Sequence, residues 1–241
     1  MKKDSSHPVC VAIGTLLFLT LTTAVFSVVL GYSLQHINFI KRSDAWLYQI
    51  INNGRHYQLV DILITPFNFN FLFPIPGNAP NFFYFMLTFA GIYLYIKDRA
   101  ELKWFLLSIG IGTIVVHLIT LSDVHFIFRI RPFITLKNTV TPQGYGAWKN
   151  LSSYPSGHVR DTALYSALIA FFIPKTGWWL VVFTIFIGYS RVYIGAHFPS
   201  DVLAGALLGY ISAYLTLRFI HDVRVAKTKS SPQEPVTTVA Q

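Results

Sequence analysis

The chain has 241 residues, 53% hydrophobic and 12% charged, against a charged content of about 25% in soluble proteins. That excess of apolar surface excludes disorder, and 15 Gly and 12 Pro without a period exclude a collagenous or low-complexity chain. One cysteine excludes an internal disulfide framework and any all-cysteine metal site, while the net charge of +9 is scattered between apolar blocks and forms no basic stripe for a nucleic acid.

What remains is a polytopic membrane protein, in which a helix needs roughly 20 mainly apolar residues to cross the hydrocarbon. The first such run, residues 9–32, follows Lys2 and Lys3 and is longer than the roughly 7 to 15 residues of a signal-peptide core, so it reads as a retained span. Residues 36–78 are aromatic but mixed in polarity. Within them Trp46, Leu47, Ile50 and Ile51 fall at helical spacing among Lys41, Arg42, Asp44, Gln49 and Asn52, which predicts an interfacial helix. The Phe, Asn and Pro run from Pro66 to Pro80 suits no regular span and reads as an aromatic belt at the membrane surface.

Residues 79–96 and 102–122 form the second and third spans, an antiparallel pair joined by the charged turn of Lys97, Asp98, Arg99, Glu101 and Lys103. Residues 157–173, 178–193 and 200–220 supply three more. Lipid offers no partner to an unpaired backbone group, so all six are expected to be helices. The expected fold is therefore all-α, a polytopic membrane protein of six transmembrane helices with an interfacial helix between the first and second. An even number of spans puts both termini on one side, and the Lys and Arg bias makes that side cytoplasmic. Residues 1–225 read as one transmembrane domain with its polar motifs at 123–201, and residues 226–241 as a disordered cytoplasmic tail.

Three polar clusters interrupt the apolar chain, all at outer ends of spans: Arg131-Pro132, Tyr154-Pro155-Ser156-Gly157-His158, and Ser190-Arg191 through His197 to Asp201. Ionisable groups at membrane depth are costly, so their gathering on one face points to a site. Arg131 and Arg191 can hold an anion in forked geometry. Ser156 and the amides of Gly157 and His158 stand where a helix begins, which favours an anion. His197 and Asp201 are four residues apart, so the carboxylate is expected to orient one ring nitrogen and leave the other as a nucleophile. His158, beside the cradle, can protonate a leaving oxygen. Together these are the parts for hydrolysing a phosphate ester through a phosphohistidine.

Pro155-Ser156-Gly157-His158 and Ser190-Arg191-x5-His197-x3-Asp201 resemble the second and third signature motifs of the type 2 phosphatidic acid phosphatase family, whose fold is related to vanadium haloperoxidases. The resemblance spans roughly residues 121–209. It implies a metal-independent lipid phosphatase with His197 as nucleophile, Asp201 as its orienting partner, His158 as general acid, and Arg131, Ser156, Gly157 and Arg191 as phosphate binders. The family's first motif has Lys seven residues before the Arg of Arg-Pro, and here Val124 stands at that position. His125, Arg129 and Arg160 are the candidate replacements. For two of them there are rival partners: Asp123 or lipid headgroups for Arg129, and Asp161 or another helix for Arg160.

His117, inside the third span, is expected to hydrogen-bond another helix, and Cys10 to act as a small apolar residue. Tyr193 and Phe198, on either side of His197, are pocket walls or packing. The expected substrate is a membrane lipid phosphate such as undecaprenyl diphosphate, phosphatidylglycerol phosphate, phosphatidic acid or a lipid A phosphate. It would be presented by the bilayer at the extracytoplasmic face of the inner (plasma) membrane. Alternatives are a lipid phosphotransferase of the same family and a non-catalytic binder of lipid phosphates.

Overall fold

The structure is a computed structural model that describes residues 7–52, 58–68, 81–136 and 152–230. Among them are nine α-helices: α1 (His7–His36), α2 (Asn38–Ile51), α3 (Gln58–Asn68), α4 (Asn81–Lys97), α5 (Arg99–Phe126), the single turn α6 (Pro132–Thr135), α7 (Gly157–Phe172), α8 (Gly177–Tyr193) and α9 (Pro199–Ser230). The only β pairing among the described residues is one bridge between Ile130 and Ser152. All six apolar runs of the sequence are helices. Three of them, α1, α5 and α9, are long and apolar enough to cross a membrane. The 16 or 17 residues of α4, α7 and α8 span about 25 Å at roughly 1.5 Å per residue.

The core lies between α1, α5, α7 and α9, with α4 and α8 packed on its flanks. Val115 and Ile119 of α5 meet Leu208 and Leu215 of α9 with Leu16 and Leu19 of α1 behind them, and Val116 meets Leu164, Leu168 and Ala213. In lipid there is little hydrophobic drive between helices, so close backbone approach has to supply the contact. Gly205 and Gly209 of α9 provide it. A Cβ on Gly205 would lie 2.6 Å from the Ser156 carbonyl oxygen, and one on Gly209 would lie 2.2 Å from that of Arg160. These two glycines, one helical turn apart, let α7 rest directly on α9 and so set the first turn of one helix against the first turn of the other.

At the far end of the bundle, Asp98 caps α5 by accepting from the amides of Ala100 and Glu101 at 2.9 and 3.0 Å. Glu101 then receives a two-pronged bond from Arg224 of α9 at 3.0 and 2.8 Å, and the guanidinium lies 4.8 Å from the centre of the Trp104 ring. A partly exposed ion pair and a cation–π contact are each worth up to about 1 kcal/mol. Arg224→Gln is accordingly expected to lower the thermal midpoint in detergent by about 2 to 4 °C with turnover unchanged, because nothing at this end touches the polar clusters.

Three expectations change. A helix, α3, occupies residues 58–68 and takes in Pro66, while most of the expected aromatic belt, 69–80, lies outside the described residues. Helix α9 runs on to Ser230, so residues 226–230 of the expected disordered tail are helical, and 231–241 lie outside the described residues. His117 is exposed and its Nδ1 bonds the Thr113 carbonyl one turn earlier in its own helix, at 2.7 Å. Helix α2 forms at the expected place, with Trp46, Leu47 and Ile50 exposed and Asp44 and Tyr48 buried.

Candidate functional site

Helix α8 ends in a Schellman turn, with Gly195 at φ 80°. The Ala196 amide bonds the Arg191 carbonyl and the Gly195 amide that of Val192, both at 3.0 Å. Only glycine takes this left-handed conformation without strain. The turn folds the chain back so that the His197 amide also reaches the Arg191 carbonyl, at 3.3 Å. Arg191 and His197 are thereby fixed to each other by backbone, six residues apart, and both are buried.

His197 donates Nδ1–H to the carbonyl of Ser153 at 2.7 Å, the only role open to a nitrogen facing a carbonyl oxygen. Nε2 therefore carries the lone pair, and Arg131 Nη1 stands 3.4 Å from it. Arg131 is anchored by a second bond from Nη1 to the Ala196 carbonyl at 2.8 Å. Burial, with the Arg131 and Arg191 guanidiniums close by, pushes the His197 imidazole well below its ordinary range. It is neutral at neutral pH, the state in which Nε2 keeps its lone pair.

Here the expected arrangement is corrected. Asp201 does not bond His197. It is the third residue of α9, and its Oδ2 turns back to accept the Phe198 amide at 3.0 Å, as in a capping box. The same oxygen accepts the Ser153 hydroxyl, and Oδ1 accepts Arg129 Nη1 at 2.6 Å. Asp201 thus holds the residue whose carbonyl holds His197.

Ser156 is fully buried, its amide bonds the Asp201 carbonyl at 3.1 Å, and its hydroxyl has no hydrogen-bond partner among the described residues. An unpartnered buried hydroxyl at the N-terminus of α7 suits an oxyanion. Gly157 opens that helix. His158, in its first turn, is within electrostatic reach of Arg191, His197 and Arg131. The structure therefore brings together Arg131, Arg191, Ser156, Gly157, His158 and His197 at the joined N-termini of α7 and α9.

Of the three candidate replacements for the missing Lys, Arg160 is within electrostatic reach of His158 and Arg129 of His197, but all three side chains are bonded to other groups. His125 is exposed and its Nδ1 bonds the Leu121 carbonyl at 3.0 Å. Arg160 is held by Asp161 at 2.7 Å and by the Thr120 hydroxyl at 2.7 Å. Arg129 lies between two carboxylates, Asp44 and Asp201, each at 2.6 Å. Burial opposes the Arg129 charge, but the two carboxylates more than offset this and raise its pKa. Tyr193 and Phe198 are packing residues: the Tyr193 hydroxyl donates to Asp61 at 3.0 Å, and Phe198 packs on Tyr48 beneath the Arg129 guanidinium. Sequence reasoning passed over Asp44, Ser153, Ser200 and Gly195. A signal existed for Asp44, because Asp44, Tyr48 and Asn52 make a polar stripe at four-residue spacing, and all three are buried.

Among the described residues no three His, Cys, Asp or Glu converge as metal ligands. The fold and site define a helical membrane protein with Arg131, Arg191, His158 and His197 gathered at one end of its bundle. Residues 101–224 match the PAP2 superfamily, and the chain belongs to that superfamily. It is 34% identical over 109 residues to undecaprenyl-diphosphatase BcrC of Bacillus subtilis (45% of this chain, 52% of that protein). Over 64 residues it is 38% identical to lipid A 1-phosphatase of Rhizobium johnstonii (27% and 26%). The matches thus cover about half or less of these curated relatives. Its fold is similar to the crystal structure of a transmembrane PAP2-type phosphatidylglycerolphosphate phosphatase from Bacillus subtilis, with a TM-score of 0.58 at 19% identity over 90% of this chain and all of that one.

Proposed function

We propose that the protein is an integral membrane phosphatase that removes phosphate from a lipid phosphomonoester or diphosphate. The substrate class is that of undecaprenyl diphosphate, lipid A phosphates, phosphatidylglycerol phosphate and phosphatidic acid. The observation that carries this reading is the His197 ring, with Nδ1 bonded to the Ser153 carbonyl and Nε2 directed at Arg131. In the mechanism, Arg131, Arg191, the Ser156 hydroxyl and the amides opening α7 hold the phosphoryl oxygens. His197 Nε2 attacks phosphorus in line, and the bond to the leaving oxygen breaks as His158, which takes up a proton once the anionic phosphate is bound beside it, gives that proton to the oxygen. Water, deprotonated by His158, then splits the P–N bond, releasing phosphate and restoring both histidines.

Six membrane spans with cytoplasmic termini and the site facing outward complete the proposal. The exposed Trp178 and Trp179 at the start of α8 and the exposed apolar face of α2 support interfacial placement at either end. The relatives' names support a bacterial plasma membrane. The test is phosphate release by the purified protein from a panel of these four lipids, without an acceptor. At least one is expected to be turned over, with orthovanadate inhibiting and EDTA not. Release only when an acceptor lipid is added would make the protein a phosphotransferase, and vanadate binding without turnover on any lipid would make it a binder.

A further inference from the structure

Asp44 lies in α2, ahead of the stretch that matches the superfamily, and touches none of the groups assigned to phosphate. It is 3% exposed and fully engaged. Its Oδ2 accepts Arg129 Nη2 at 2.6 Å and the Ser200 hydroxyl, and its Oδ1 accepts the Ser200 amide at 2.9 Å. Ser200 is the second residue of α9, so Asp44 caps that helix from a different element. Arg129 passes the connection on through Nη1 to Asp201 Oδ1 and, from its own carbonyl, to the Ser153 amide at 2.6 Å. Asp201 grips the Ser153 hydroxyl, and the Ser153 carbonyl holds His197. Four side chains and one backbone segment thus run without a gap from α2 to the ring that faces Arg131.

We propose that Asp44 is a positioning residue for His197, acting through Arg129 and Asp201 on the Ser153 segment. The inference rests on the phosphatase reading given above. A buried ion pair is weak evidence for stability, since apolar residues of similar volume often serve as well. What apolar residues could not do is hold two helix starts and a carbonyl in one register. Arg129 is suited to this because its planar fork bonds both carboxylates in fixed directions, which a lysine cannot do. The link also accounts for Arg129 in this chain: its charge serves the frame of the site, and the phosphate clamp is left to Arg131 and Arg191.

The test uses the full chain in detergent and a lipid phosphate that the wild type turns over. Asp44→Asn keeps the shape and removes the charge. A displaced nucleophile lowers kcat and leaves phosphate binding alone, so kcat is expected to fall about tenfold or more with KM within about twofold, and Asp44→Glu to regain part of the loss. Arg129→Gln is expected to behave alike, and the double variant to be no more than about threefold below the worse single one, because both act along one chain of contacts. A folded Asp44→Asn protein with wild-type kcat, a loss confined to KM, or losses that multiply in the double variant would overturn the proposal. Should Asp44→Asn not fold, Arg129→Lys decides: a lower kcat at unchanged KM supports it and wild-type kcat refutes it. A wild-type protein that releases no phosphate from any lipid would sink the phosphatase reading and this inference together, whereas an active wild type with an unaffected Asp44→Asn protein sinks the inference alone.

Discussion

Replacing His197 with Ala is expected to end phosphate release from lipid phosphates, with a loss of about 10⁴-fold or more, the scale seen when a covalent nucleophile is removed. No nearby group can take over. Arg131 and Arg191 are cationic at any working pH. Asp201 is occupied by Arg129, Ser153 and the Phe198 amide, and His158, in the first turn of α7, is proposed as the proton donor. The phosphate cradle does not depend on the imidazole, because Arg131 is tied to the Ala196 carbonyl and Ser156 to the Asp201 carbonyl. The Ala variant should therefore still be stabilised thermally by orthovanadate. Retained turnover would sink the nucleophile assignment.

The second large effect is expected from Gly209→Ala, far from any reacting group. Its methyl would sit 2.2 Å from the Arg160 carbonyl oxygen and 2.8 Å from the Ala163 Cβ, on a rigid helix against a rigid helix. Neither neighbour is the end of a flexible side chain, so α7 has to move away from α9 by an ångström or more. That separation pulls Ser156 and His158 from His197, and a misplacement of about 1 Å costs on the order of 10²-fold in rate. Stability should fall too, by about 1 to 3 kcal/mol, as for other overpacked contacts. Measuring turnover and the thermal midpoint together checks this, and wild-type values of both would show that the helices have room to part.

The parts of this molecule that were legible in the sequence are those written in residue types. Apolar length gave the six helices. The pairing of Arg131, Ser156, His158, Arg191 and His197 at one end followed from their placement at span ends, and the structure gathers them there. What could not be read depends on backbone atoms or on distant partners. The acceptor of His197 Nδ1 is a main-chain carbonyl, which any residue at 153 would present. The four-residue spacing of His197 and Asp201 suggested a direct bond, but α9 begins only at Pro199, so His197 is not on the helix and the carboxylate turns back along the axis. Arg129 was open as a clamp because its partner Asp44 is 85 residues away. Sequence reasoning also passed over the glycine pair of α9, although Gly205-Ala206-Leu207-Leu208-Gly209 has a small-residue spacing typical of close helix crossings.

On the role proposed for Asp44, which bonds Arg129 and Ser200 from α2, the stretch that matches the superfamily is not a portable module. An excised 101–224 segment would carry every group assigned to phosphate and yet leave Arg129 with one carboxylate and the Ser200 amide of α9 without its acceptor. Exchanging the first hundred residues between relatives would then alter catalytic rate as well as lipid contact, so chimeras should be cut to keep α2 with the helix start it secures.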